Sequence, residues 1–195
     1  MYGVTGSGKT TLAARISGCT GVPWHSVDDL TWLPDWVEVD LEEQRERIRR
    51  ICQQDAWILD TAYGKWREIP LARAELIVAL DYPRWVSLGR LLQRTVARVR
   101  DRRPICGGNV ETLRGSLSRD SILLWHFRSF GRKRAQIRRW QAEGRPIVVL
   151  HSQAETDRWL EALTPVSEVA GAAPAPPARA AGPAPEGPRS DRTAR

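Results

Sequence analysis

The chain has little of what staples or anchors a small protein. Its 195 residues hold three cysteines, Cys19, Cys52 and Cys106, an odd and widely spaced set without a C-x-x-C pair. That excludes a disulfide framework and a cysteine zinc site, and it fits a reducing compartment in which thiols serve as packing. Apolar runs are short as well: none reaches the ~18 residues of a membrane-crossing helix, and no signal-peptide core opens the chain. The expectation is a soluble, cytoplasmic protein without a membrane partner. Lysine is scarce too, since only three of the 30 basic residues are lysine and the remaining 27 are arginine. Positive charge as such is plentiful, with a formal net charge of +7. It is also lopsided: Arg90 to Arg145 holds 15 basic and four acidic residues, so the rest of the chain is net acidic. Such asymmetry suits a polyanion bound on one side.

One of the three lysines falls in GVTGSGKT, Gly3 to Thr10, which fills every position of the phosphate-binding loop pattern. Gly3, Gly6 and Gly8 let the backbone turn its N–H groups inward without a Cβ in the way, and Ser7 lies between them. Lys9 brings a compact charge to the β- and γ-phosphates, and Thr10 brings a hydroxyl for Mg²⁺. The helix-forming run that begins at Thr10 and Thr11 puts a helix N-terminus under the phosphates, where unpaired N–H groups and the dipole favour an anion. A strand of about five residues should precede such a loop. Only Met1 and Tyr2 do, so the first strand is expected to be largely missing, and upstream extension is expected to add stability.

Further along, strands are expected at 22–27, 57–59, 75–81 and 146–150. Three end on acids, at Asp28 and Asp29, at Asp60 and at Asp81. Strand C-termini in open parallel sheets face the ligand crevice, so these carboxylates are placed to meet substrate or metal. Spacing alone does not choose between Asp60 and Asp81 for Mg²⁺. The helix after Pro83 is expected to turn Trp85, Leu88, Leu92, Val96 and Val99 to the core. Arg90, Arg94, Arg98 and Arg102 recur every four residues on another face and repel one another unless an anion faces them. Pro104 and the Gly107–Gly108 pair interrupt that helix, and residues 101–120 read as an arginine-rich lid. A second basic helix, 121–140, follows, and a last one is expected near 153–163. Trp57, Trp85, Trp140 and Trp159 read as core. Trp24, Trp32, Trp36 and Trp66 fall on the expected substrate side. His25, His126 and His151 show no metal or nucleophile spacing and receive no role. From Thr164 the composition turns to Ala, Pro, Gly and Arg with seven of the 13 prolines, which reads as a disordered tail, 164–195.

With GVTGSGKTTLA, HSVDDLTWLPDW, WILDTAY, LIVALDYPR and the arginine-rich segment in hand, the chain resembles the adenylate-kinase-like group of P-loop NTPases, and most closely small bacterial topology modulation proteins. The resemblance covers residues 3–163. It implies an α/β fold of three layers, a parallel sheet flanked by helices, with 1–163 as one nucleotide-kinase-like domain. It implies ATP and Mg²⁺, Asp28 facing the acceptor, and Asp60 orienting Mg²⁺. It further implies Arg90 on the adenine and Arg94 on the phosphates, with Arg128, Arg132 and Arg134 as returning lid arginines. The activity implied is transfer of the ATP γ-phosphoryl to a small acceptor, a nucleoside or nucleoside monophosphate. The other class that the basic helices suit is a regulatory ATPase that grips a nucleic-acid backbone, although no groove-reading motif accompanies them.

Overall fold

The computed structural model describes residues 1–101, 109 and 122–163, and in them strands and helices alternate. The order is β1 (Tyr2–Gly3), α1 (Lys9–Thr20), β2 (Trp24–His25), α2 (Val27–Thr31), a 3₁₀ turn (Pro34–Trp36), α3 (Leu41–Cys52), β3 (Ile58–Leu59), α4 (Glu68–Leu71), β4 (Ile77–Leu80), α5 (Arg84–Asp101), α6 (Ile122–Ala142), β5 (Ile147–Leu150) and α7 (Gln153–Leu163). All strand pairings are parallel, in two ladders, β1–β4–β5 and β2–β3. In the first, Tyr2 lies opposite Ala79 and Gly3 opposite Leu80, while Ile77–Leu80 runs beside Ile147–Leu150. The backbone nitrogen of Met1 donates to the Leu59 carbonyl at 2.7 Å, which sets β3 beside β1. The order across the molecule is therefore β2, β3, β1, β4, β5. The expected α/β class holds, and the first strand, two residues long, keeps a central place. Both strands next to it end on an aspartate.

Alternation along β4 explains the layers, because successive side chains of a strand point to opposite faces. Val78 and Leu80 join Leu12 of α1, Leu150 and Leu160 of α7 in one buried cluster. Ile77 and Ala79 face the other way, against Tyr2, Ile137 and Trp140 of α6. A third cluster, with Val27, Ile48, Ile51, Leu59 and Trp66, seats α3 against β3. Ile48 and Ile51 of α3 are thus buried. The α3 N-terminus is closed by Asp40, whose carboxylate accepts from the backbone N–H groups of Glu42 and Glu43.

Three sequence expectations change. Asp28 and Asp29 do not end a strand: β2 stops at His25, and both acids lie in the first turn of the short α2. Local carboxylates and the following leucine favour that turn over two more extended residues. Trp85 is not core, being 76% exposed. The face of α5 is also inverted: Ser87, Leu91 and Thr95 are buried, whereas Leu92 and Val96 are 43% and 65% exposed. The helix presents a narrow, small-residue ridge inward because it must approach a glycine of the phosphate loop. Apart from Asp101 and Asn109, the expected lid lies outside the described residues, as does the 164–195 tail. Among the described residues, no helix is long and apolar enough to cross a membrane, and Cys19 and Cys52 are free thiols.

That close approach is measurable. Gly6 has φ +81°, and a Cβ there would sit 2.3 Å from the Ser87 carbonyl oxygen and 2.9 Å from the Leu91 Cβ. Gly6→Ala should therefore cost about 2–4 kcal/mol in urea unfolding, from left-handed backbone strain and overpacking together. Gly89→Ala, within α5 and with nothing inside 4 Å of the added carbon, should instead stabilise by about 0.5–1 kcal/mol. A Gly6→Ala loss below about 1 kcal/mol would mean that the α5–loop contact is looser than described.

Candidate active site

The loop between β1 and α1 curls around one carbonyl. Val4 O accepts from the Ser7 N–H at 3.3 Å, from Ser7 Oγ at 2.8 Å and from Lys9 Nζ at 2.9 Å. Gly6 and Gly8 both take positive φ, at 81° and 95°, which L side chains disfavour. Gly3 is needed for another reason, since a Cβ on it would meet the Leu80 carbonyl oxygen at 2.6 Å across the ladder. No side chain caps α1, and its first turn carries no acid. Its leading N–H groups, from Lys9, Thr10 and Thr11, therefore have no intrahelical acceptor and offer the positive dipole end to an anion.

A carboxylate meets this loop. Asp60, directly after β3 and only 3% exposed, accepts from Thr10 Oγ1 at 2.7 Å and from the Val27 N–H at 3.0 Å. Burial raises its carboxyl above the usual range, and the two hydrogen bonds and Lys9 pull it back. Asp81, by contrast, pairs with Arg134 at 2.8 Å and lies 3.8 Å from His151 Nδ1. Of the two acid-ended strands, the fold brings Asp60 to the loop threonine. Asp28 is exposed, accepts a hydrogen bond from the Tyr63 hydroxyl, and acts electrostatically on Lys9. Lys9 itself is pushed down to about 8 by burial, against the opposing pull of Asp60 and Asp28.

The hydroxyl of Thr10 and the carboxylate of Asp60 form an all-oxygen donor pair, suited to Mg²⁺ rather than to a soft metal. Among the described residues no cluster of three or more His, Cys, Asp or Glu could cage a metal by itself. A cation at Thr10 and Asp60 would thus complete its shell with phosphate oxygens and water, as Mg²⁺ commonly does.

Helix α5 closes the other side of the loop. Arg90 donates to the Ser7 carbonyl at 3.4 Å and to Gln153 Oε1 at 2.9 Å, and lies 5.1 Å over the Tyr82 ring. Arg94, half-buried one turn on, acts electrostatically on Lys9. Arg90 and Arg94 therefore lie on the side of α5 toward the loop, while Trp85, Leu92 and Val96 face outward. Arg132 is exposed and lies 5.4 Å over the Trp125 ring. Arg134 is engaged by Asp81.

Sequence reasoning passed over several residues that the fold brings to this region. His126 is fully buried; since a carbonyl only accepts, its Nδ1–H donates to Thr5 O at 3.1 Å. Asn109, from the expected lid, donates to the Leu33 carbonyl and accepts from the Trp36 N–H, both at 2.8 Å. It thereby clamps a turn in which Asp35 and Trp36 take positive φ of 60° and 57°. Trp32 and Trp36 stack edge-to-face beside it at 6.1 Å, whereas Trp24 and Trp66 are buried core. No spacing rule links these residues. Lys133 is different, because the scarcity of lysine that marks Lys9 marks it equally.

No protein-family model and no curated protein matches the chain. Among solved structures it is similar to the crystal structure of a gluconokinase from Sinorhizobium meliloti 1021, at 16% identity over 83% of this chain and 92% of that one, with a TM-score of 0.46.

The Thr10–Asp60 bond is open to a double-mutant cycle. Thr10→Val and Asp60→Asn, singly and together, should show a coupling of about 1 kcal/mol in urea unfolding of the nucleotide-free protein. Additive losses would mean that the two side chains do not meet in solution.

Proposed function

We propose that the chain is an ATP-dependent phosphotransferase that passes the γ-phosphoryl of ATP to a small acceptor, a nucleoside or nucleoside monophosphate. One observation carries the reading: an uncapped helix N-terminus with a half-buried lysine, met on one side by the Thr10–Asp60 pair and on the other by Arg90 and Arg94 of α5. A solvated basic face would leave those arginines outside. Here their helix turns apolar residues outward to bring them in.

In this reading the N–H groups of Gly6, Ser7, Gly8, Lys9, Thr10 and Thr11 hold the phosphate chain, with Gly3 allowing the loop to leave the sheet. Lys9 exchanges its bond to Val4 O for the β- and γ-phosphates. Thr10 and Asp60 would hold Mg²⁺, which would offset the charge of the phosphates. Arg90 and Arg94 face the nucleotide, and Arg132 closes from α6, so that charge spreading over the equatorial oxygens meets fixed cations. Asp28, held by Tyr63, orients or deprotonates the acceptor hydroxyl. Catalysis is then positioning and charge neutralisation.

The test is ADP release from Mg·ATP with a panel of nucleosides and nucleoside monophosphates, with Lys9→Ala as control. Release stimulated by one acceptor and lost in the control is the expected result. Tight ATP binding that no acceptor stimulates, with nucleic acid stimulating instead, would overturn it. The pH dependence has a definite sign. Bound phosphates keep Lys9 protonated, whereas the free chain releases that proton near pH 8, so binding takes up a proton above that pH. ATP affinity should stay flat from pH 6.5 to 7.5 and then fall, approaching about tenfold per pH unit, in a calorimetric or fluorescence titration.

A further inference from the structure

A cradle built from backbone N–H groups works only if each peptide is held the right way round. In a trans peptide the C=O and the N–H that follows it point in opposite directions, so a donor that holds one carbonyl outward aims the next N–H inward. Two carbonyls of the loop are held from within the proposed site, Val4 O by Ser7 and Lys9 and Ser7 O by Arg90. Thr5 O is held from elsewhere. Its donor is Nδ1 of His126, at 3.1 Å, which stands on α6 and is 121 positions away in the chain.

Three features separate this contact from ordinary core filling. His126 is fully buried, yet among the described residues its second ring nitrogen, Nε2, has no hydrogen-bond partner. An orphaned buried acceptor costs stability, and an apolar side chain in its place would avoid that cost. What the imidazole supplies in return is the one N–H that reaches Thr5 O. The ring is also fixed in orientation, with Phe127 edge-on at 5.9 Å and Phe130 tilted at 5.8 Å. Arg84 of α5 lies over both of those rings, 5.7 Å and 4.5 Å from their centroids. The charges that act on His126 are those of Arg84 and Lys9, both positive. Burial first, and these two cations after it, make the ring harder to protonate than a free histidine, against the opposite effect of the Thr5 bond. A neutral ring carries a single proton, and a carbonyl at Nδ1 decides where it sits.

We propose that His126 is a positioning residue of the phosphate loop, whose Nδ1–H holds the Thr5 carbonyl outward and so aims the Gly6 N–H at the bound phosphates. This rests on the phosphotransferase reading and deepens it, by placing part of the cradle's order in α6 rather than in the loop's own sequence. Without the donor the Thr5–Gly6 peptide is less restrained, since glycine accepts either sign of φ, and part of the anion's binding energy goes into ordering it. A neutral donor suits the position, because it orders the peptide without adding a further charge beside Lys9.

The full chain has three histidines, so in ¹⁵N-histidine-labelled protein the ring of His126 can be assigned with His25→Gln and His151→Gln. The expected spectrum at pH 7 shows His126 neutral with its proton on Nδ1, the reverse of the tautomer that free histidine prefers. A neutral ring protonated on Nε2 instead overturns the contact. Pyrophosphate and ADP, each with Mg²⁺, are then titrated calorimetrically into the unmodified chain and two variants. His126→Leu should weaken both about tenfold, because the donor is gone. His126→Asn, whose amide nitrogen sits one bond beyond Cγ as Nδ1 does, should stay within about threefold of the unmodified chain. A merely structural role predicts no such rescue, since Leu fills the volume of the ring more nearly than Asn. Equal affinities in all three proteins, or equal losses in both variants, overturn the positioning role and leave the phosphotransferase reading intact. A loss for ADP that pyrophosphate does not share overturns the aim at the phosphates. Failure of the unmodified chain to bind ADP overturns the phosphotransferase reading instead, and the tautomer and the pyrophosphate titration then judge His126 by themselves. Should His126→Leu fail to fold, the more adaptable His126→Met takes its place, and the tautomer is read in the unmodified chain in either case.

Discussion

The contact between the α5 backbone and Gly6 is the constraint on which the candidate site depends. With the Ser87 carbonyl oxygen 2.3 Å from where a Cβ would be, the loop and the helix meet backbone to backbone. Only small or slim residues then fit on that ridge, which is why Ser87, Leu91 and Thr95 are the buried positions. Once this ridge is inward, helical geometry carries Arg90 and Arg94 to the loop and sends Trp85, Leu92 and Val96 to the outside. An amphipathic helix is ordinarily oriented by its apolar stripe. Here close packing against a glycine outweighs that preference, and its result is a cationic wall on the phosphate loop.

The electrostatics follow from that wall. Lys9 is half-buried with Asp60, Asp28 and Arg94 acting on it, and its proton is held less firmly than in water because desolvation exceeds the help of the carboxylates. Lys133, desolvated and acted on by Lys9, Arg67 and Arg132, is lowered further. Both lysines are thus charged at a cost that an anion would lift. Arginine does not lose its proton in this way, which gives a physical reason why these two positions differ from the arginines around them. On the acid side, Asp60 spends both oxygens on Thr10 and Val27, so that it is held in place without a neighbouring guanidinium.

Much of this was legible in the order of residues. The loop pattern, the helix beginning at Lys9, the apolar β4 run and the β5 run are all local features, and each lies within a few residues of its expected place. The last helix, 153–163, matches its expected span. Short-range features are readable because hydrophobic period and glycine placement act within one or two turns of chain. The expectation for α5 failed for the complementary reason, since a stripe of apolar residues says nothing about what another segment forbids.

The sequence by itself determined a glycine-rich turn from Gly3 that leads into a helix at Lys9 and Thr10, because glycine spacing and the helix-forming run after it are local features. Only the tertiary structure decided that Asp60 rather than Asp81 meets Thr10, since both end apolar strands and differ in which strand lies beside β1. It alone brought His126 to the Thr5 carbonyl, 121 positions away in the sequence. Such meetings depend on sheet order and on which face each helix turns inward, and long-range packing sets both.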